Sequence, residues 1–183
     1  MTTFVAMLRG INVGGNTLVK MDALRALVSG LGHTDVTTYI QSGNVVFKSR
    51  ATQAPRVAHD IEARLKSELG LEVTVVIRTM EELATTVRRN PFLPGSDPAT
   101  LYVIFLSDVA DPKSAAGIDA GHFAPDEFQI LGREVFARYP NGYGRSKMTG
   151  AYFEKALRVR ATARNWNTVS KLLQLAQGSA PEK

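Results

Sequence analysis

Apolar positions along the chain follow two rhythms, and the switches between them divide it into strands and helices. Residues 3–8 carry an apolar run from Phe4 to Leu8 and predict a strand, after which Met21, Leu24, Leu27, Val28 and Leu31 fall at helical spacing until Gly32. Residues 36–40 and 45–48 are short extended runs joined by Gln41-Ser42-Gly43-Asn44, the pattern of a hairpin with a polar turn. Val57, Ile61, Leu65 and Leu69 repeat every four residues and predict a long helix closed by Gly70. Residues 73–77 predict a fourth strand, and Thr79-Met80-Glu81-Glu82 is a capping box opening a helix through Leu83 and Val87. The first half therefore reads β-α-β-β-α-β-α.

Pro91, Pro94 and Pro98 break this pattern, because proline can continue neither a helix nor a central strand. Beyond them come a strand at 101–106, a short helix near 111–118, paired strands at 127–131 and 134–139 around Gly132-Arg133, and a helix at 148–158. An extended stretch at 159–163 leads to a last helix carrying Trp166, Val169, Leu172, Leu173 and Ala176. The order repeats, and the halves overlay at two points. The hairpin at 40–47 answers the one at 128–136, and Arg78-Thr79 before one helix answers Arg164-Asn165 before another. The expected fold is α+β: two tandem ferredoxin-like subdomains, each βαββαβ plus one extra helix, with antiparallel sheets. Their expected bounds are 1–90 and 101–177, around a Pro-rich linker at 91–100 and ahead of a flexible tail at 178–183.

Composition supports a globular chain: 183 residues with 44% hydrophobic content are ample for a core. No run approaches the roughly 18 apolar residues of a membrane helix. Met1-Thr2-Thr3-Phe4 lacks a basic stretch followed by an apolar leader, so a cytoplasmic address and no membrane partner are expected. Zero cysteines exclude disulfides, thiolate chemistry and every cysteine-based metal site. No cofactor is expected.

Two clusters carry candidate chemistry. The first is Arg9-Gly10-Ile11-Asn12-Val13-Gly14-Gly15-Asn16, followed by Lys20, in which glycines allow positive φ and bring bare N–H groups within reach of an anion. Its spacing matches the phosphate loop G-x-x-x-x-G-K-S/T except that Asn16 stands where lysine should. A neutral amide cannot supply that point charge, so nucleotide hydrolysis is set low. The second cluster emerges from charge. Residues 133–171 hold nine Lys/Arg against two acids, a local +7, whereas the rest of the chain, with thirteen against fifteen, carries −2. Such asymmetry suits an acidic partner.

Right-handed crossovers sort the loops by end. In the first half, the loop 9–20 should meet the hairpin turn Gln41, Ser42 and Asn44. In the second, the loop 139–147 with Arg145 and Lys147 should share one sheet end with Arg164, Asn165 and Asn167. Arginine offers a planar fork and lysine a movable point charge, a combination suited to phosphate.

Four motifs, at 8–16, 39–45, 141–147 and 162–168, together resemble the uncharacterised bacterial family catalogued as domain of unknown function 1697. The resemblance spans nearly the whole chain and implies a small protein of two related α+β subdomains. It implies no activity, substrate or cofactor.

Three function classes follow. A small phosphorylated or other anionic ligand bound by the glycine-rich and basic loops ranks first. Nucleic acid ranks second, because residues 45–48 lack the paired aromatics of sheet-face RNA binding. An enzyme with an unrecognised active site ranks third, since His33, His59 and His122 stand alone and sequence neighbours Ser146 and Lys147 seldom point the same way. Oligomeric state is left open.

Overall fold

The computed structural model describes residues 1–15 and 17–178. Among these it is an α+β chain with two four-stranded antiparallel sheets and six α-helices. Two compact units emerge: Met1–Thr85 with the described residues from Lys171 on, and Thr86–Ser170.

In the first unit, β1 (Thr2–Leu8), α1 (Met21–Gly30), β2 (Thr34–Tyr39), β3 (Asn44–Ser49), α2 (Ala54–Leu69) and β4 (Val75–Thr79) lead into α3 (Met80–Arg88). The strand order is β2-β3-β1-β4. Phe4 lies opposite Phe47, and Ala6 opposite both Val45 and Ile77. Side chains alternate between the faces of a strand. Phe4, Ala6 and Leu8 accordingly share one core with Val45, Phe47, Leu24 and Val28 of α1, and Ile61 and Leu65 of α2. On the other face Val5, Met7, Val46 and Val76 are buried too. Burial on both faces is why β1 is written as a continuous apolar run rather than an alternation.

The local signals are realised as chemistry. Gly70 ends α2 in the left-handed region at φ 67°, its N–H donating to the Lys66 carbonyl and that of Leu71 to Leu65. The Thr79 N–H donates to Glu82 Oε2 at 2.8 Å while the Glu82 N–H donates to Thr79 Oγ1 at 3.1 Å, a reciprocal capping box. The fourth strand lies two residues later than the apolar run suggests. Val73 is absorbed by the core, and the ladder begins at Val75, whose N–H donates to Glu62 Oε1.

In the second unit, β5 (Leu101–Leu106), α4 (Pro112–Ala116), β6 (Glu127–Leu131), β7 (Glu134–Arg138), α5 (Gly150–Leu157) and β8 (Ala161–Asn165) lead into α6 (Trp166–Ala176). The order is β6-β7-β5-β8. Ile104, Leu106, Val135, Ala137 and Ala161 pack with Phe153 and Leu157 of α5, and Phe123 closes this core from a short 3-10 turn, Ala120–Phe123. The short helix expected near 111–118 is thus five residues long and is followed by a separate turn, each capped by an aspartate: Asp111 accepts from Ser114 and Asp119 from Gly121. The strand expected at 159–163 runs instead to Asn165, because pairing with β5, from Leu106 opposite Ala161 to Tyr102 opposite Asn165, sets its ends. Of the tail expected at 178–183, all but Gly178 lies outside the described residues.

Candidate functional site

The loop after β1 is tied at both ends before any ligand is considered. The Leu8 N–H donates to Gly43 O and the Arg9 N–H to Thr74 O, each at 2.9 Å. Ile11 turns back into the core and is buried. Asn12, at φ 55°, donates from Nδ2 to Val19 O at 3.0 Å and to Gln41 O at 2.6 Å, and accepts the Val19 N–H at Oδ1, 2.8 Å. A primary amide has two N–H donors and one carbonyl. Asn12 thus spends its donors and its carbonyl inside the protein, joining the loop to the hairpin turn.

Asn44 is fully buried and likewise turns inward, donating to Tyr39 O and Ser42 Oγ. Gly14 and Gly15 have positive φ and open space where a Cβ would stand, and they are exposed together with Arg9, Lys20 and Gln41. Asn16 lies outside the described residues. The expected meeting of the loop and the turn at one sheet end is therefore observed, and Asn12 is what makes it.

In the second unit, the loop after β7 is held by two tyrosines. The Tyr139 hydroxyl donates to Met148 O at 2.6 Å, and the Tyr143 hydroxyl accepts the Gly150 N–H at 3.1 Å. Tyr143 stacks on Tyr102, ring centroids 4.6 Å apart and 13° from parallel, and meets Tyr139 edge-on at 5.1 Å. Burial above all, then neighbouring Tyr143, Asp126 and Tyr102, pushes the Tyr139 phenol upward, so it stays protonated and donating. Ser146 Oγ accepts the Met148 N–H at 2.9 Å, which steadies the loop and leaves its hydroxyl proton as a donor.

On this frame Asn141, Gly142, Arg145, Ser146 and Lys147 line one side of a recess of about 440 Å³, and residues 122–126, including His122 and Asp126, line the other. Arg145 and Lys147 are exposed residues of this lining. Sequence reasoning set His122 aside as an isolated histidine and did not single out Asp126. A signal for Asp126 existed: the expected hairpin pairs Glu127 with Arg138, which sets residue 126 beside the start of the basic loop.

The remaining expected residues lie elsewhere. Arg164 stands opposite Val103 on β8 and is 7% exposed. Its Nη1 donates to Thr162 Oγ1 and Ala163 O, both at 2.8 Å, and burial lowers it to about 10, which leaves it charged at neutral pH. It is not among the residues lining the recess. Strand alternation sends it to a face of the sheet, although its strand ends near the loop as expected. Asn165 caps α6 by accepting the Thr168 N–H at 2.8 Å, and Asn167 is exposed on the first turn. Among the described residues no group of three His, Cys, Asp or Glu is placed to hold a metal ion, and no helix is long and apolar enough to cross a membrane.

The fold is shared with a solved structure, that of the conserved bacterial protein SP0830 from Streptococcus pneumoniae. The TM-score is 0.72 at 24% identity, covering 96% of this chain and 98% of that one. At that identity the likeness concerns the fold alone. No curated protein matches. The model of one protein family matches residues 1–136, a stretch that includes the glycine-rich loop, its hairpin turn and the 122–126 side of the recess. On that match the chain belongs to the family described as protein of unknown function, DUF1697.

Proposed function

We propose that this protein binds a phosphate-bearing ligand in the recess of its second unit, with Arg145 and Lys147 as the anion contacts. The observation that carries the reading is the convergence of these two cations, with the Asn141 and Ser146 positions, on one recess of about 440 Å³. That is the size of an ordinary small-molecule site. The loop is preorganised by Tyr139 and Tyr143, so ordering it costs little on binding. Gly142, at φ 88°, leaves open space where a side chain would stand and lets a ligand approach the backbone. The glycine-rich loop of the first unit is the weaker candidate, because Asn12 and Asn44 are spent on holding it together.

The architecture is read as an internal duplication of ferredoxin-like units, with a linker at 91–100 between residues 1–90 and 101–177. Supporting it are the equivalent strand orders β2-β3-β1-β4 and β6-β7-β5-β8. Further support comes from the equivalent arginines Arg78 and Arg164, opposite Val5 and Val103.

The test is titration of wild type and Arg145→Ala/Lys147→Ala with phosphosugars, nucleotides, single-stranded RNA and duplex DNA, folding being checked by circular dichroism. Losing two charge-assisted contacts costs on the order of 3 kcal/mol, about 100-fold in Kd. A polymer spanning several phosphates would lose affinity log-linearly with salt, at about 0.7 to 0.9 per neutralised phosphate, whereas a small ligand depends on salt more weakly. Equal binding by wild type and the folded double variant would leave the basic loop as a solvated surface.

A further inference from the structure

A second recess adjoins the first. It measures about 530 Å³ and shares Ala124, Pro125 and Asp126 with it as a common wall. Three residues span at most roughly 10 Å of chain, the scale of one sugar ring with its substituents rather than of a polymer segment. The two sides of this wall differ in chemistry. The first recess presents Arg145 and Lys147. The second is lined by Phe92, by Phe128 and Gln129 of β6, and by Glu127 and Arg138, whose charges neutralise each other in an ion pair.

From this juxtaposition we infer that the ligand is a nucleoside 5′-monophosphate. Its phosphate is held by Arg145 and Lys147, its base lies in the second recess, and its ribose crosses the wall at Asp126. The inference rests on the phosphate reading above and adds the rest of the molecule. A carboxylate is acceptor-only and suits a pair of sugar hydroxyls. A primary amide both donates and accepts, so Gln129 can match the polar edge of a heterocycle. The ring of Phe92, the lining aromatic that no core contact engages here, is the stacking surface assigned to the base.

Phe128 is set by edge contacts with Phe153 at 5.1 Å and Phe123 at 6.4 Å, and the Phe92 N–H donates to Asn90 Oδ1 at 3.0 Å. A phosphosugar without a base would leave the second recess unused.

The experiment is calorimetric titration of the full chain with the four ribonucleoside 5′-monophosphates, ribose 5-phosphate, inorganic phosphate and single-stranded RNA. At least one nucleotide should bind roughly 10-fold or more tighter than ribose 5-phosphate, the range of one stacked base. Phe92→Ala and Gln129→Ala should each shrink that ratio toward unity while leaving ribose 5-phosphate unchanged. Arg145→Ala/Lys147→Ala should weaken both ligands. Nucleotides binding no tighter than ribose 5-phosphate, with both lost in the double variant, would overturn the nucleotide inference and leave the phosphate reading standing. Binding of nothing by wild type would overturn both. RNA binding far tighter than every mononucleotide, with a steep salt slope, would replace the free nucleotide by a polymer.

Discussion

Asn12 and Val19 are joined twice through one side chain: Asn12 Oδ1 accepts the Val19 N–H at 2.8 Å and Nδ2 donates to the Val19 carbonyl at 3.0 Å. The amide thereby imitates a strand partner, and its further bond to the Gln41 carbonyl ties the loop to the hairpin turn.

This arrangement predicts an ordering of variants. Each lost hydrogen bond costs about 1 kcal/mol, and alanine in the left-handed region adds about 1 kcal/mol more. With three such bonds, Asn12→Ala should therefore lose about 4 kcal/mol and Asn12→Gly, which tolerates φ 55°, about 1 kcal/mol less than that. Urea unfolding midpoints at constant slope measure both. Identical losses would mean that the backbone conformation costs nothing.

The glycines divide into two kinds. A Cβ on Gly43 would meet Ile11 Cδ1 at 2.5 Å and Leu8 Cβ at 2.9 Å, with φ at 77°, whereas Gly14 has positive φ and nothing within 4 Å. Gly43→Ala should cost about 3 kcal/mol, from conformational strain and overpacking together. Gly14→Ala should cost about 1 kcal/mol, from conformation alone. Since the nearest obstacle is the end of the Ile11 side chain, Gly43→Ala combined with Ile11→Val should be less damaging than the sum of the two. Strict additivity in a double-mutant cycle would contradict that contact.

His33 provides a pH dependence. Its ring stacks on Phe47 at 4.7 Å, and its Nε2 is buried without a partner. Burial lowers its pKa from 6.5, opposed in part by the Asp60 charge. With the folded value below the unfolded one, the unfolded chain takes up the proton first. The stability associated with neutral His33 is complete above about pH 6.5 and is lost as pH falls below it. His33→Phe should remove this component, so the difference in unfolding free energy between the variant and wild type should change across that window. A difference that stays constant there would show that His33 does not titrate on unfolding.

Much of the candidate site was legible in the sequence, and its limits are physical. Arg145 and Lys147 announced themselves because glycines flank them and charge concentrates around them. Arg164 carried the same local signals, yet the alternation of β8 and its pairing with Val103 turn it inward onto Thr162. Asn12 looked like a ligand for the same reason that it makes a good strut: a short amide tolerates positive φ and bonds the backbone. His122 carried no local signal of its own, and Asp126 only the indirect one of the Glu127–Arg138 hairpin pairing, because both line the recess of the basic loop only once the hairpin is folded.

What the sequence by itself determined is whatever depends on neighbours a few residues apart. The helix ended by Gly70, the Thr79–Glu82 capping box, the Asn165 cap and the hairpin around Gly132-Arg133 are all interactions closed within one turn of chain. The tertiary structure decided what depends on partners distant in sequence: the burial of both faces of β1, the ends of β4 and β8, and the two recesses that meet at Asp126. Long-range pairing and packing outweigh local propensity there, since a strand's ends and a side chain's face are set by the ladder it joins.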